Sequence, residues 1–437
     1  MKMLREFATK WDGIFRIWIN GFAAVCIYNP EDIELLMSNV KYHQKSIVYD
    51  ILKPWLCEGL LVSNGTKWQQ RRKILTPAFH FNILRQFSEI IAENSQQLVK
   101  TLQRTDENSI DVVPVLSEFT LNSICETAMG THLNNESMNT KSYRESLYKL
   151  GELLTMRLVR VFYYHDGIFN MSPMGRKQKK LLQIIHKFTK DVIRQRRQNF
   201  HDTNTPIEVI GEAYMTKKKT AMLDLLLAGE KEGIIDEAGI QEEVDTFMFE
   251  GHDTTGSGLT FFFMLLANHK DIQDKIYNEL KEIFGDSDRI VKMEDLSKMK
   301  YLECCIKESL RLYPPVHFIS RLLTETTVLG NYTIPAGTNC HILIYDLHRR
   351  ADLFPDPDRF NPDRFLPENS SGRNPYSYIP FSAGARNCIG QKFAMMNMKM
   401  ATAEVIRQFQ LAPITRPEDI TFVADLVLRN QGPVLVN

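Results

Sequence analysis

The chain has 437 residues, of which 43% are hydrophobic and 24% are charged, a composition typical of globular proteins. Its 53 basic residues balance its 53 acidic residues, so net charge gives no indication of a nucleic-acid partner, and we expect none. Seven scattered cysteines without a CxxC pair do not fit a disulfide framework or a zinc ribbon, and they indicate a reducing compartment.

The N-terminal segment, "MKMLREFATKWDG", is charged and amphipathic, and it lacks the apolar region of a signal peptide. No window reaches about 18 uncharged apolar residues, so the sequence predicts no transmembrane span. As written, the protein is expected to be soluble or peripheral, or to have lost an N-terminal anchor.

The elements predicted along the chain are mainly helical. Residues 14–28 indicate two strands around Asn20-Gly21, Pro30 begins a helix, and residues 66–200 are mostly helical in period. Residues 201–222 predict an exposed, irregular loop. Helices follow at about 270–284, 295–312 and 389–408, separated by strand-like residues 327–348 and the proline-rich meander "FPDPDRFNPDRFLPEN". The fold class is mainly α with small β-sheets, in one domain covering residues 1–437.

A long apolar helix is predicted from about Asp236 to Ala267. It is apolar around most of its circumference, which indicates burial, and it would span roughly 48 Å. Polar residues interrupt it: Glu250, Asp253 and Thr254 share one face, and the Thr254 hydroxyl can bond to the Glu250 carbonyl. A locally opened helix here would leave a groove for dioxygen and water. The alternative is a kink with a buried ion pair.

The segment "PFSAGARNCIG", residues 380–390, places Cys388 just before a helix that begins near Ile389-Gly390. The unpaired N–H groups and partial positive charge of a helix N-terminus favour a thiolate. Arg386 could bind an anionic group. A single sulfur excludes a tetrahedral zinc site, whereas a macrocycle that supplies the other four ligands fits. The alternative is a buried cysteine at a helix cap.

Five specified positions within ten residues, Phe381, Gly384, Arg386, Cys388 and Gly390, make this segment resemble the cytochrome P450 family of haem-thiolate monooxygenases. The resemblance covers nearly the whole chain. It implies the cytochrome P450 fold, with haem b between the long central helix and the cysteine loop. It also implies that Cys388 is the axial iron ligand, that Phe381 shields the sulfur, and that Arg386 pairs with a haem propionate.

Further residues acquire roles through the same resemblance. Trp68 and Arg72 in "WQQRR" lie four residues apart and would reach the haem propionates, as would Arg321 in "HFISR". Taken alone, the first pair is also compatible with a half-buried anchor.

Glu308 and Arg311 in "KESLRLYP" lie on one helix face, and Arg364 follows in the meander. Taken alone, they could form an ordinary surface ion pair. The resemblance implies a buried Glu–Arg–Arg cluster with a structural role, which fixes the meander beneath the cysteine loop.

The resemblance also assigns chemistry to the long helix. Asp253 and Thr254 would be the acid–alcohol pair that delivers protons during dioxygen activation. The run "EVDTFMFEGHDTT" is similar to the signature of family 4, the fatty-acid ω-hydroxylase branch, and implies an ester between Glu250 and a haem methyl group. Fatty acids or related lipids are the expected substrates. Xenobiotic, insecticide or hormone oxidation is the alternative, followed by a haem sensor or carrier without turnover, against which the Asp253–Thr254 pair argues.

Electrons must come from a partner, because the chain has neither a GxGxxG segment after a strand nor a P-loop. We expect NADPH–cytochrome P450 reductase, and cytochrome b5 as a second donor. Lys392, Lys399, Arg71 and Lys73 are candidates for a basic docking face, with ordinary solvated charge as the alternative.

Family resemblance implies attachment to the cytoplasmic face of the endoplasmic reticulum membrane, although the N-terminal helix that anchors such proteins is expected to be missing. The aromatic-rich segment "LVRVFYYHDGIFNMSPMG" would be a peripheral membrane patch or a substrate-entry loop, with core packing as the third interpretation.

Overall fold

The structure is a computed structural model that describes residues 2–19, 22–104, 109–133, 139–200, 208–210, 213–215 and 221–437. Helices dominate it, as predicted. The α-helices are α1 (Lys2–Lys10), α2 (Pro30–Ser38), α3 (Lys53–Leu56), α4 (Gly65–Leu75), α5 (Phe81–Gln103), α6 (Val112–Thr127), α7 (Thr140–Leu158), α8 (Asp166–Met171), α9 (Pro173–Phe200), α10 (Met222–Lys231), α11 (Glu237–Asn268), α12 (Lys270–Phe284), α13 (Lys300–Leu312), α14 (Ile344–Leu347), α15 (Pro367–Ser370) and α16 (Gln391–Gln408).

The strands are short and form small sheets. They are β1 (Ile14–Ile19), β2 (Phe22–Ile27), β3 (Ile110–Asp111), β4 (Glu208–Ile210), β5 (Ala213–Met215), β6 (Ile319–Leu322), β7 (Thr327–Leu329), β8 (Tyr332–Ile334), β9 (Asn339–Ile342) and β10 (Leu435–Val436). The largest sheet has the order β1-β2-β9-β6, in which β2 and β9 are parallel and pair Ala24 with Asn339. The remaining pairs are antiparallel.

Most predicted elements are confirmed, and three need correction. The prediction of strand-like structure for 327–348 is wrong for Ile344–Leu347, which forms the short helix α14. The predicted strands around Asn20-Gly21 form, while the turn itself lies outside the described residues. The loop predicted at 201–222 is wrong for residues 208–210 and 213–215, which pair as a hairpin; its lysines 217–219 lie outside the described residues. The helix predicted from residue 295 begins at Lys300, because residues 293–297 form a 3-10 turn.

The predicted long helix is confirmed as α11. Asp236 caps its N-terminus by accepting a hydrogen bond from Gly239 N at 2.8 Å. Helix α11 packs closely on α6, and a Cβ at Gly251 would lie 2.6 Å from Ile124 Cδ1, so any other residue there would displace the Ile124 side chain. The predicted local opening is wrong, since α11 is continuous from Glu237 to Asn268. The Thr254 hydroxyl does donate to the Glu250 carbonyl at 2.7 Å, but this hydrogen bond does not break the turn.

The apolar interior has two parts. One large cluster joins the central helices, including α5, α6, α11 and α16, and a smaller one surrounds the four-stranded sheet. Among the described residues, no helix has both the length and the apolar character required to span a membrane.

Candidate functional site

An internal cavity lies between the loop that carries Cys388 and the middle of α11. Its polar lining comes from widely separated parts of the chain, including Glu250 and Thr254 on α11 and Cys388 on its loop. Most of the wall is apolar, and the segment around Leu426 also contributes. The apolar lining includes Phe79, Ile124, Phe247, Phe249, Val316 and Phe318.

The shape of the cysteine loop depends on one glycine, which no other residue could replace unless the neighbouring backbone moved. Gly384 has φ +67°, and a Cβ there would lie 1.9 Å from the Met37 carbonyl oxygen. After this turn, Cys388 N donates to Phe381 O at 2.8 Å, which closes the loop. Gly390 caps α16, so the thiol lies at the helix N-terminus as predicted. The loop therefore presents the sulfur to the cavity.

The helix N-terminus acts on the Cys388 thiol as predicted, but burial opposes it. Burial, and then the nearby Glu250 carboxylate, raise the pKa of the thiol to about 12, although Gly390 N–H and Arg72 act in the opposite direction. The accessible surface of the sulfur faces the cavity, inside the protein. Desolvation therefore outweighs the helix terminus here, and a bound metal cation would favour the thiolate.

Three guanidinium groups predicted to hold propionates line the same cavity. Arg72 donates to Asn387 O and Oδ1, each at 2.8 Å, and Arg321 donates to Ser320 O at 3.0 Å. Arg386 donates to Ser63 O at 2.8 Å, while its Nε and Nη1 have no partner. No carboxylate of the described residues forms an ion pair with any of the three, so their charges are available to an anion.

Trp68 and Lys45 complete this polar side of the cavity. The Trp68 ring lies 4.3 Å from the Arg386 guanidinium carbon. Lys45, which sequence reasoning missed, also lines the cavity, with its ammonium group 4.2 Å from the Tyr49 ring centre. Burial and then Arg321 and Arg386 lower its pKa. Lys45 belongs to no recognisable motif, so no pattern in the sequence indicates its role.

The polar residues of α11 separate into two groups. Glu250 and Thr254 line the cavity, and burial raises the pKa of Glu250 to about 7 despite Lys45 and Arg72. Asp253 does not line the cavity. Its buried carboxylate pairs with Arg429.

Arg429 is the centre of a buried network that sequence reasoning did not find. It pairs with Asp253 and with Asp425, the latter at 2.7 Å, and its guanidinium carbon lies 4.0 Å from the Tyr148 ring centre. Arg429 lies 176 positions from Asp253 in the chain, so only the tertiary fold brings the two together.

The structure brings Glu308, Arg311 and Arg364 together. Arg311 donates from Nε and Nη2 to the two Glu308 carboxylate oxygens at 2.7 and 2.8 Å. Arg364 Nε lies 3.3 Å from Glu308 Oε1, and Asn361 N donates to the same oxygen at 2.9 Å. The cluster joins α13 to the proline-rich meander, and the surface-pair alternative is wrong because Glu308 and Arg311 are fully buried.

The predicted basic docking face is only partly present. Lys73 and Lys392 are exposed. Lys399 is buried and donates to Glu303 at 2.6 Å, and Arg71 is buried with Glu242 and Glu243 each 3.6 Å away. These two side chains are on packed faces of their helices and cannot contact a partner.

Among the described residues, no three His, Cys, Asp or Glu side chains are grouped so that they could hold a metal ion. The cavity instead offers one thiol, unpaired guanidinium groups and an apolar wall, an arrangement that fits a metal carried by an anionic macrocycle. Fold and site together define a haem-thiolate protein.

Comparisons with known proteins identify the family. The family model for cytochrome P450 matches residues 1–436, and the chain therefore belongs to the cytochrome P450 family of monooxygenases. Probable cytochrome P450 4ac1 of Drosophila melanogaster is 42% identical over 99% of this chain and 84% of its own length. Cytochrome P450 4c3 of the same species is 40% identical, covering 95% and 80%. Cytochrome P450 4V2 of Homo sapiens is 39% identical, covering 97% and 81%.

Membership of the family implies a haem iron cofactor, dioxygen, a lipophilic substrate and a redox partner that supplies electrons. The residues present fit the haem. The cavity has a thiol for the axial position, and Arg386 has two unpartnered nitrogens available to a propionate. Glu250 is the one carboxylate among the described residues that line this cavity.

Proposed function

We propose that this protein is a family 4 fatty-acid ω-hydroxylase, with residues 1–437 acting as a single catalytic domain. The observation that carries the proposal is the shared cavity, in which Cys388, Glu250 and Thr254 face a predominantly apolar space. An apolar wall favours an alkyl chain over a polar substrate. The relatives named above belong to the same numbered family.

In this proposal, haem b bound through Cys388 supplies the activation of dioxygen. Arg72, Arg321 and Arg386, with Trp68, hold the propionates, because two buried cations and one half-buried cation without an ion-pair partner are stabilised by two carboxylates. Phe381, which lies at the base of the cysteine loop, limits the access of water to the sulfur. The chain thereby fixes the reacting centre against α11.

Proton delivery is the second role that we assign to the chain. The Thr254 hydroxyl faces the cavity and now donates its proton to the Glu250 carbonyl. Asp253 is held by Arg429 outside the cavity lining, so it must exchange that partner before it can pass a proton to Thr254. Arg429 is therefore a positioning residue for the acid.

Glu250 is proposed to form an ester with a haem methyl group. The ester would form as a C–O bond between one Glu250 carboxylate oxygen and the methyl carbon, which would lose one hydrogen as a proton and two electrons. The two electrons would pass to the oxidant derived from dioxygen that the haem would supply when bound. The position of Glu250 in the cavity supports the assignment. Such a link would restrict the pocket and favour attack on a terminal methyl group.

A reconstituted turnover tests the substrate. The purified holoenzyme is combined with NADPH–cytochrome P450 reductase, with and without cytochrome b5, and a panel of fatty acids, and the new hydroxyl group is located by mass spectrometry. Terminal hydroxylation is the expected result. Reduction of the haem without a fatty-acid product would contradict it and favour the alternative of xenobiotic, insecticide or hormone oxidation.

Denaturing extraction tests the ester independently of the substrate. After turnover, haem should remain on the wild-type polypeptide and be released from Glu250→Gln. Glu243→Gln is the matched control, since Glu243 is a buried carboxylate on the same helix that does not line the cavity. Equal release of free haem from all three proteins would refute the ester.

Attachment to the cytoplasmic face of the endoplasmic reticulum belongs to the same proposal. The segment 158–175 supports it, because Phe162 and Met171 are 79% and 74% exposed, which does not agree with core packing of these two side chains. Lys73 and Lys392 remain candidates for contact with the reductase.

A further inference from the structure

Helix α9 has a charge imbalance that the rest of the chain does not share. Its 28 residues, "PMGRKQKKLLQIIHKFTKDVIRQRRQNF", contain nine Lys or Arg and one acid, Asp191. The whole chain is neutral, with 53 residues of each sign. A neutral protein that concentrates cations on one element creates a local positive surface.

Five of these cations form a row along one side of the helix. They border a groove that also includes Pro54 and Asn170. The row spans roughly 27 Å at 1.5 Å per residue. We call it the α9 basic face, and it consists of Arg176, Lys179, Lys187, Lys190 and Arg194.

The basic face is nearly free of acidic neighbours. Asp191 pairs with Arg194 at 2.6 Å, and within the described residues the other four cations form no ion pair. Two further arginines of α9 behave differently, since Arg196 and Arg197 pair with Asp224 and Glu230. The basic face is therefore not a by-product of structural ion pairs.

Packing does not explain the basic face either. Helix α9 is anchored to the core through a separate apolar side, which includes Leu181, Ile185, Phe188 and Val192. Cations at spacings of three and four residues repel one another along a helix. An anionic surface would relieve this repulsion, whereas the row of cations does not stabilise the folded chain by itself.

Exposed apolar side chains occur in the segment that leads into α9. Val159, Phe162 and Met171 are 65%, 79% and 74% exposed. Arg176 Nη1 donates to the Met171 carbonyl at 3.0 Å, so the first cation of the basic face touches the apolar segment. Cations on a helix beside protruding apolar groups are the arrangement of proteins that bind anionic membrane surfaces.

We propose that the α9 basic face binds anionic phospholipid headgroups while Phe162 and Met171 enter the adjoining interfacial layer. The inference rests on the membrane association proposed above and adds a lipid class to it. A lipid surface satisfies the cations and the apolar side chains together. An acidic protein would satisfy the cations alone, which is why the membrane is the favoured partner.

Vesicle flotation of the purified holoenzyme tests the proposal. Phosphatidylcholine vesicles are compared with vesicles that also contain phosphatidylserine. We expect phosphatidylserine to strengthen binding, and the triple variant Lys179→Gln/Lys187→Gln/Lys190→Gln to weaken it by on the order of 100-fold. Binding should also fall in 1 M salt, where the screening length is about 3 Å.

The matched control removes three exposed lysines from α12, in the variant Lys270→Gln/Lys275→Gln/Lys281→Gln. Lys270 and Lys281 pair with Asp274 and Asp286, so these lysines belong to a mixed surface. This variant should bind both vesicle types as the wild type does. A third variant, Phe162→Ser, should weaken binding to both vesicle types, because it removes apolar contact without changing charge.

Three results would overturn the lipid assignment alone. The first is equal binding of the wild-type protein to both vesicle types, and the second is an α9 triple variant that keeps its preference for phosphatidylserine. The third is an α9 triple variant that loses reductase binding and keeps vesicle binding, which would assign the basic face to an acidic protein. No binding to either vesicle would overturn the membrane association itself.

Discussion

Removing Arg311 tests whether the buried cluster holds the meander in place. The Arg311 guanidinium makes five hydrogen bonds, two to Glu308 and three to the carbonyls of His348, Pro357 and Arg359. Removing one partner of a buried charge pair costs about 3–5 kcal/mol. Arg311→Ala should therefore lower the free energy of unfolding by at least about 3 kcal/mol, a large part of the roughly 5–15 kcal/mol of a typical domain.

The assay is urea unfolding of the haem-free protein followed by circular dichroism, with haem retention followed separately by absorbance. Lys270→Ala is the comparison, because Lys270 and Asp274 form an exposed i,i+4 pair at 2.7 Å that should contribute only about 0.3–0.5 kcal/mol. Arg311→Lys keeps the charge but loses the paired hydrogen bonds to Glu308, so its loss of stability should lie between those of Arg311→Ala and Lys270→Ala. If Arg311→Ala shifts the urea midpoint no more than Lys270→Ala does, the cluster does not stabilise the meander.

Three further predictions concern buried carboxylates. Burial raises the pKa of Glu243 to about 8, so ionisation of this carboxyl opposes folding as pH rises. Between pH 5 and 9, the free energy of unfolding should therefore fall less for Glu243→Gln than for the wild type. A parallel fall in both proteins would contradict this. Arg429→Met leaves two carboxylates without their cation, so it should destabilise by about 3–5 kcal/mol at pH 7.5. The loss should be smaller at pH 5, because burial raises the pKa of Asp425 to about 6; a loss that grows on acidification would refute this. Asp253→Asn should lower product formed per NADPH by on the order of 100-fold while leaving the haem spectrum unchanged; unaltered coupling would exclude Asp253 from proton delivery.

The main features of the fold could be predicted because they depend on local patterns. The apolar circumference of α11 and the glycines of the cysteine loop are visible in short stretches of sequence. The boundaries that failed are those that depend on local hydrogen bonding, such as the 3-10 turn at 293–297 and the antiparallel strands 208–210 and 213–215.

Site residues that belong to a sequence motif were predicted, whereas those brought together from distant segments by the fold were missed. Arg72 and Arg386 were found because they lie in recognisable runs, although they lie more than 300 positions apart. Lys45 and Arg429 have no such run around them and become visible only through the contacts of the folded chain. Burial reverses a further expectation, since the environment of Cys388 raises its pKa where the helix terminus alone would lower it.

Arginines in the interior of this protein occur in two kinds of environment. The difference distinguishes those with a structural role from those that bind a ligand. Arg311 and Arg429 each face carboxylates of the chain itself, so their charges are compensated once folding is complete. The buried Arg321 and Arg386 and the half-buried Arg72 converge on one cavity without an ion-pair partner of their own. Removing these like charges from water opposes folding unless an anion joins them, and the haem propionates supply two. Haem binding should thus be linked to folding through these arginines, while the two closed networks contribute to the stability of the haem-free chain as well.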